Sequence, residues 1–121
     1  MYFENPLFVI PTLTGTIFVL VGIIILKFPP KKINSLYGYR TLSAMENKER
    51  WAFAQDYSAK KTVKFGALLT LTGLIGLVYY PNEIISMMLG LGLMTLAIIM
   101  IIFRTEKAIK IKFGKDKTSL K

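Results

Sequence analysis

The residues best equipped to bind something lie together in one short stretch of the chain. Between positions 34 and 54 stand Asn34, Gly38, Tyr39, Arg40, Thr41, Ser43, Trp51 and Ala54. Arg40 offers a rigid, permanently charged fork that can hold a carboxylate, a lipid phosphate or backbone carbonyls at a helix end. Glu46, Glu49 and Asp56 are its candidate partners within the chain. Gly38 permits positive φ or close backbone approach between two tyrosines, and Asn34 and Thr41 can close a turn around the arginine. Two readings are open: a structural clasp fixing one helix against the next, or a site for a ligand or partner. Catalysis fits poorly. The chain has no cysteine and no histidine, and no nucleophile beside a base. No enzyme activity, cofactor or metal is expected. A lipid-directed enzyme would have to rely on Arg40 with Glu46 or Asp56 as acid or base.

What must position this stretch is apolar. The chain has 121 residues, 53% of them hydrophobic, with a mean hydropathy of +0.48. Its charges avoid three long runs, the signature of bilayer spans rather than of one globular core. Asn5–Leu26 holds no charge for 22 residues, about 33 Å of helix. Phe65–Asn82 and Ile84–Phe103 are the other two runs. The expected fold is therefore all-α: an integral membrane bundle of three transmembrane helices over about 5–27, 63–81 and 84–104. Residues 1–121 form a single membrane domain on this reading. The first run lacks a basic opening and a small-residue cleavage site, so it is expected to remain as an anchor.

All 16 lysines and arginines fall between the first and second runs or after the third. The positive-inside rule then places the loop 28–62 and the basic tail 105–121 in the cytoplasm. The N-terminus and the Tyr79–Glu83 turn are expected outside a cell membrane crossed several times. A net charge of +9 is accounted for by this topology and by attraction to anionic membrane lipids, not by nucleic acid. The tail alternates Ile109, Ile111 and Phe113 with lysines, and reads as a frayed, solvated end or a short surface segment. No charge lies within a span, which counts against ion translocation.

Phe28-Pro29-Pro30 ends the first helix. Ser43 and Glu46 have the spacing of a capping box, predicting a loop helix over about 43–61. Ala44, Trp51, Ala54, Gln55 and Ser58 share one face of it, opposite Glu49, Asp56 and Lys60. No breaker separates Lys61 from Phe65, so this helix can run into the second span. Thr72 with Gly76, and Ser86 with Gly90, match the small-xxx-small pattern, read as packing within the bundle first and as homo-oligomer contacts second.

The stretch from Phe28 to Met45, with Asn34, Gly38-Tyr39-Arg40-Thr41, Ser43 and then Trp51 and Ala54, resembles the SdpI/YfhL family of bacterial membrane proteins in a short form carrying a single motif. That family commonly has asparagine after the alanine, where Gln55 stands here. The resemblance implies immunity or bacteriocin resistance: protection of a Gram-positive bacterium against a secreted, membrane-active toxic peptide. It also implies a second role, in which a membrane-anchored signalling protein recruits a cytoplasmic partner such as a transcriptional repressor through its basic loop.

Overall fold

The computed structural model describes residues 3–34 and 37–114, and its regular structure is helical. Three helices follow in order: α1 (Pro6–Lys27), α2 (Lys48–Gly73) and α3 (Glu83–Phe113), with a 3-10 turn at Leu74–Leu77 closing α2. Helices α1 and α3 are long and apolar enough to cross a membrane. Helix α2 does not meet that measure, because its first half carries the charges from Lys48 to Lys64. The outward faces of α1 and α3 expose Leu13, Ile17, Leu20, Ile84, Met88 and Leu96, a surface suited to lipid and not to water.

The packing between α1 and α2 is built on absent side chains. A Cβ on Gly15 would lie 2.5 Å from the Gly66 carbonyl oxygen and 2.7 Å from the Thr70 nitrogen. These are backbone atoms that cannot step aside, so only glycine lets the two axes approach this closely. Gly73 faces Thr12 and Pro11, and Gly76 faces the Leu7–Phe8 backbone, extending the contact to the end of the hairpin. Gly90 of α3 sits against Pro6 and Ile10. The small-residue patterns thus serve packing within the chain.

Asn5 fastens that far end. It is fully buried; its side-chain oxygen accepts from the Leu7 nitrogen at 3.1 Å, while its Nδ2 donates to the carbonyls of Gly76 and Tyr79 at 2.8 Å each. One side chain caps the start of α1 and satisfies two carbonyls at the end of the 3-10 turn. That capture explains why the helix expected to run to residue 81 gives way at Gly73 to a tighter turn.

Two further expectations change, and one holds. The loop helix predicted from Ser43 begins instead at Lys48, with Asn47 as its cap accepting from the Arg50 nitrogen at 2.8 Å. Ser43 cannot serve there because its hydroxyl is bonded to Glu106. Loop helix and second apolar run form one continuous helix, as the lack of a breaker suggested. Finally, α3 extends past residue 104 to Phe113 and stops at Gly114, whose φ is +83°. Residues 105–113 of the expected tail are therefore ordered helix, neither frayed nor solvated on every face. The face bearing Thr105 and Ile109 is buried, and this gives the extension a reason to persist. Residues 115–121 of that tail lie outside the described residues.

Gly15→Ala is expected to destabilise the protein in detergent by about 1–3 kcal/mol, the cost of overpacking. Gly92→Ala, where an added Cβ meets nothing within 4 Å, should be neutral or slightly stabilising. Thermal melts of the two variants check this, and equal melting points would contradict the close approach.

Candidate functional site

The loop between α1 and α2 folds against the charged end of the bundle, and each of its turns has an identifiable fastener. The Phe28 nitrogen closes α1 by donating to the Ile24 carbonyl at 2.7 Å. Trp51, buried in the first turn of α2, donates its indole N–H to the Pro30 carbonyl at 2.5 Å. The Tyr37 hydroxyl returns to the Phe28 carbonyl at 2.8 Å. Asn34 accepts from the Tyr37 nitrogen at 2.7 Å and donates to the Lys32 carbonyl at 3.0 Å, closing the turn its residue type suggested.

Gly38 then adopts φ +100°. A Cβ there would be strained by the backbone and would strike Pro30 and the Gln55 carboxamide. The reason for the tightness is next in the chain. Gln55 holds the backbone of Tyr39 from both sides: its Oε1 accepts from the Tyr39 nitrogen and its Nε2 donates to the Tyr39 carbonyl, each at 2.7 Å. The buried Gln55 amide thus pairs with both the N–H and the C=O of Tyr39, leaving none of these groups orphaned. The donor–acceptor pattern also fixes the orientation of the Gln55 amide.

The second anchor comes from α3. Glu106 accepts three hydroxyls: Tyr39 at 2.6 Å and Thr41 at 2.7 Å on Oε2, and Ser43 at 2.5 Å on Oε1. Hydrogen bonds to an ionised acceptor are about twice as strong as neutral ones, so this carboxylate is the strongest tie between loop and helix. Burial pushes the Tyr39 phenol pKa well above its ordinary value, with the Glu106 hydrogen bond and charge adding to the shift and the Thr41 hydrogen bond opposing it. Ala44, Ala54 and Ile109 form a fully buried apolar core beneath, flanked by Tyr39, Phe53 and Phe113. The small side chain of Ala54 is what lets the loop lie flat on α2.

Arg50 is worked into the fold. Its guanidinium is buried, donates from Nε to the Ser43 carbonyl at 2.7 Å and from Nη1 to the Gly114 carbonyl at 3.4 Å. It lies 3.7 Å from Glu46 and 5.7 Å from the centre of the Phe113 ring. Arg40 has its side chain at the surface. Asp56, a candidate partner for Arg40, pairs with Lys60 at 2.9 Å.

Six of the eight motif residues thus converge: Gly38, Tyr39, Thr41, Ser43, Trp51 and Ala54 pack around Gln55 and Glu106. Asn34 shapes the turn leading in, and Arg40 faces outward. Sequence reasoning marked Gln55 as a departure from the family's asparagine and passed over Arg50 and Glu106 as partners of the motif. Glu106 could have drawn notice as a lone acid among Arg104, Lys107 and Lys110. Ser43 is buried and shares its acceptor with two other hydroxyls, so the pair with Glu106 is a lock and not a nucleophile with its base. Among the described residues no group of three acidic side chains could hold a metal ion.

A family model described as the SdpI/YfhL protein family matches residues 31–105. The uncharacterized protein YfhL of Bacillus subtilis (strain 168) is 39% identical over 97 residues, covering 80% of this chain and 83% of that protein. No solved structure matches.

The Tyr39 proton gives the lock a pH signature. Because the folded pKa lies above the unfolded value of about 10, the folded state holds that proton more tightly. The contribution is whole below about pH 10 and is lost as pH rises from the unfolded value towards the folded one. Tyr39→Phe should lower stability near neutral pH by about 1–3 kcal/mol and flatten the loss above about pH 10. Melting curves across that range check it; parallel profiles for the two proteins would contradict it.

Proposed function

The chain belongs to the SdpI/YfhL protein family, a family of non-enzymatic membrane proteins, and we propose from that premise that it is an SdpI-type immunity protein, protecting its membrane against a secreted membrane-active toxic peptide. One observation carries this reading. Tyr39 is gripped through its backbone by Gln55, and Thr41 through its hydroxyl by Glu106. Arg40 stands between these two anchored neighbours while its side chain faces outward. A residue held in place on both sides, beside the end of an apolar bundle, is pre-organised to meet an anionic group such as a peptide carboxylate. Trp51 and Ala54 build the support and do not present themselves to a partner.

The reading places the protein in the cell membrane with three spans, the N-terminus outside and the motif loop and C-terminus in the cytoplasm. Two arguments support it. The apolar end of α2 and the 3-10 turn after it lie alongside α1, from Gly66 against Gly15 to Gly76 against Leu7–Phe8, which supports a shared depth for the two in a bilayer crossed by α1. Every lysine and arginine then sits on one side.

Protection is tested by expressing the chain in a sensitive bacterium and measuring survival against a panel of secreted amphipathic peptides. The intact protein should raise the inhibitory concentration of at least one. Arg40→Ala, at equal membrane abundance, should lose most of that protection while the protein still folds. No protection against any peptide would sink the immunity reading, and full protection by Arg40→Ala would remove Arg40 from it.

Topology is tested separately, using the absence of native cysteine. An impermeant maleimide added to intact cells should label Glu83→Cys, and should label Lys48→Cys only after permeabilisation. The opposite pattern would invert the orientation.

A further inference from the structure

Two grooves on the same side of the molecule share one residue. Between α2 and α3 runs an apolar groove of about 290 Å³, walled by Phe65, Leu68 and Leu69 on α2 and by Leu93, Leu96 and Met100 on α3. The polar atom of Thr72 in its wall is already satisfied by the Leu69 carbonyl at 2.7 Å. Nothing charged lines it. A second groove of about 440 Å³ begins at the same Met100 and continues past Tyr57 and Phe103 to Arg104, Lys107 and Ile111. Met100 joins the two, so the crevice is apolar along the uncharged stretch of α3 and cationic where that stretch ends.

The charge at the open end is one-sided. Arg104 and Lys107 are exposed, and among the described residues neither forms an ion pair. On α2, Lys61 lies 5.3 Å above the ring of Tyr57, which lines the second groove, and Lys64 lies 5.8 Å above the ring of Phe65, which lines the first. The nearby acids are engaged elsewhere: Glu106 with three loop hydroxyls, and Asp56 with Lys60. Two cations, Arg104 and Lys107, thus line the end of a groove that meets the apolar one at Met100.

We propose that this crevice holds one anionic phospholipid, its acyl chain along the α2–α3 groove and its phosphate between Arg104 and Lys107. Charge complementarity selects an anionic headgroup, because a zwitterionic lipid brings its own cation to a site already lined by Arg104 and Lys107. The apolar channel selects a lipid over a free phosphate, since a soluble anion would leave that groove unfilled. The site rests on α2 and α3 lying in the bilayer and is independent of any protective activity.

The test is retention of lipid by the detergent-purified protein in native mass spectrometry. Palmitoyl-oleoyl phosphatidylglycerol and the matching phosphatidylcholine are offered in equal amounts. One phosphatidylglycerol adduct should be retained roughly tenfold or more over phosphatidylcholine. The double variant Arg104→Glu with Lys107→Glu should lose that preference, while Lys31→Glu with Lys32→Glu, the same charge change at exposed positions outside the crevice, should keep it. Equal retention of the two lipids by the native chain, or equal loss in both double variants, overturns the proposal. Because the first double variant could misfold, Met100→Cys provides a reading without charge change. Phosphatidylglycerol, and not phosphatidylcholine, should slow its alkylation by an uncharged maleimide; an unchanged rate overturns the proposal as well.

Discussion

The carboxylate of Glu106 is the contact on which the charged end of this protein depends. It takes hydroxyls from Tyr39, Thr41 and Ser43, residues more than sixty positions away in the chain. Each hydroxyl alone would contribute modestly, since folding exchanges its bonds to water for bonds to protein. Three on one half-buried carboxylate hold the loop in a single conformation, because losing any one leaves charge less well solvated than before. The consequences reach outward from there. Ser43 is drawn to Glu106, so α2 is capped by Asn47 instead; α3 must continue beyond the apolar stretch to deliver Glu106; and its continuation brings Ile109 and Phe113 over Ala44 and Ala54.

The opposite end uses the same device with one residue. Asn5 caps α1 and takes two carbonyls from the end of the 3-10 turn. Between the two polar fasteners the helices are held by surface fit, with glycine at the α1–α2 crossing and at Gly90 where α3 meets α1. This division suits a bilayer. Apolar side chains gain nothing from leaving lipid for one another, so close backbone approach has to supply attraction through dispersion. Polar contacts add most at the ends, where backbone groups lose helical partners.

What could be read in the sequence follows from properties single residues carry. Long uncharged runs mark α1 and α3, and the family motif marks the loop. The face shared by Trp51, Ala54, Gln55 and Ser58 is buried as helical spacing required. What could not be read depends on tertiary demand. Ser43 and Asn47 are both good caps, four residues apart, and only the call of Glu106 on the Ser43 hydroxyl decides between them. The tail misled because its lysines suggested a solvated end. Yet Ile101, Thr105, Ile109 and Phe113 recur every four residues, and three of them are buried; that stripe was present and outweighed by the charges around it.

Tyr39 is where the two halves of the bundle meet. Its backbone belongs to α2 through Gln55, and its hydroxyl to α3 through Glu106. A change in the spacing of α2 and α3 therefore cannot leave both sets of contacts intact. Bonds near 2.7 Å weaken steeply as they lengthen or bend, so a shift of well under the width of a side chain would release one grip or the other. Arg40 is the next residue, and its position is set by that balance. The segment that carries Arg40 is thus the one that both α2 and α3 hold.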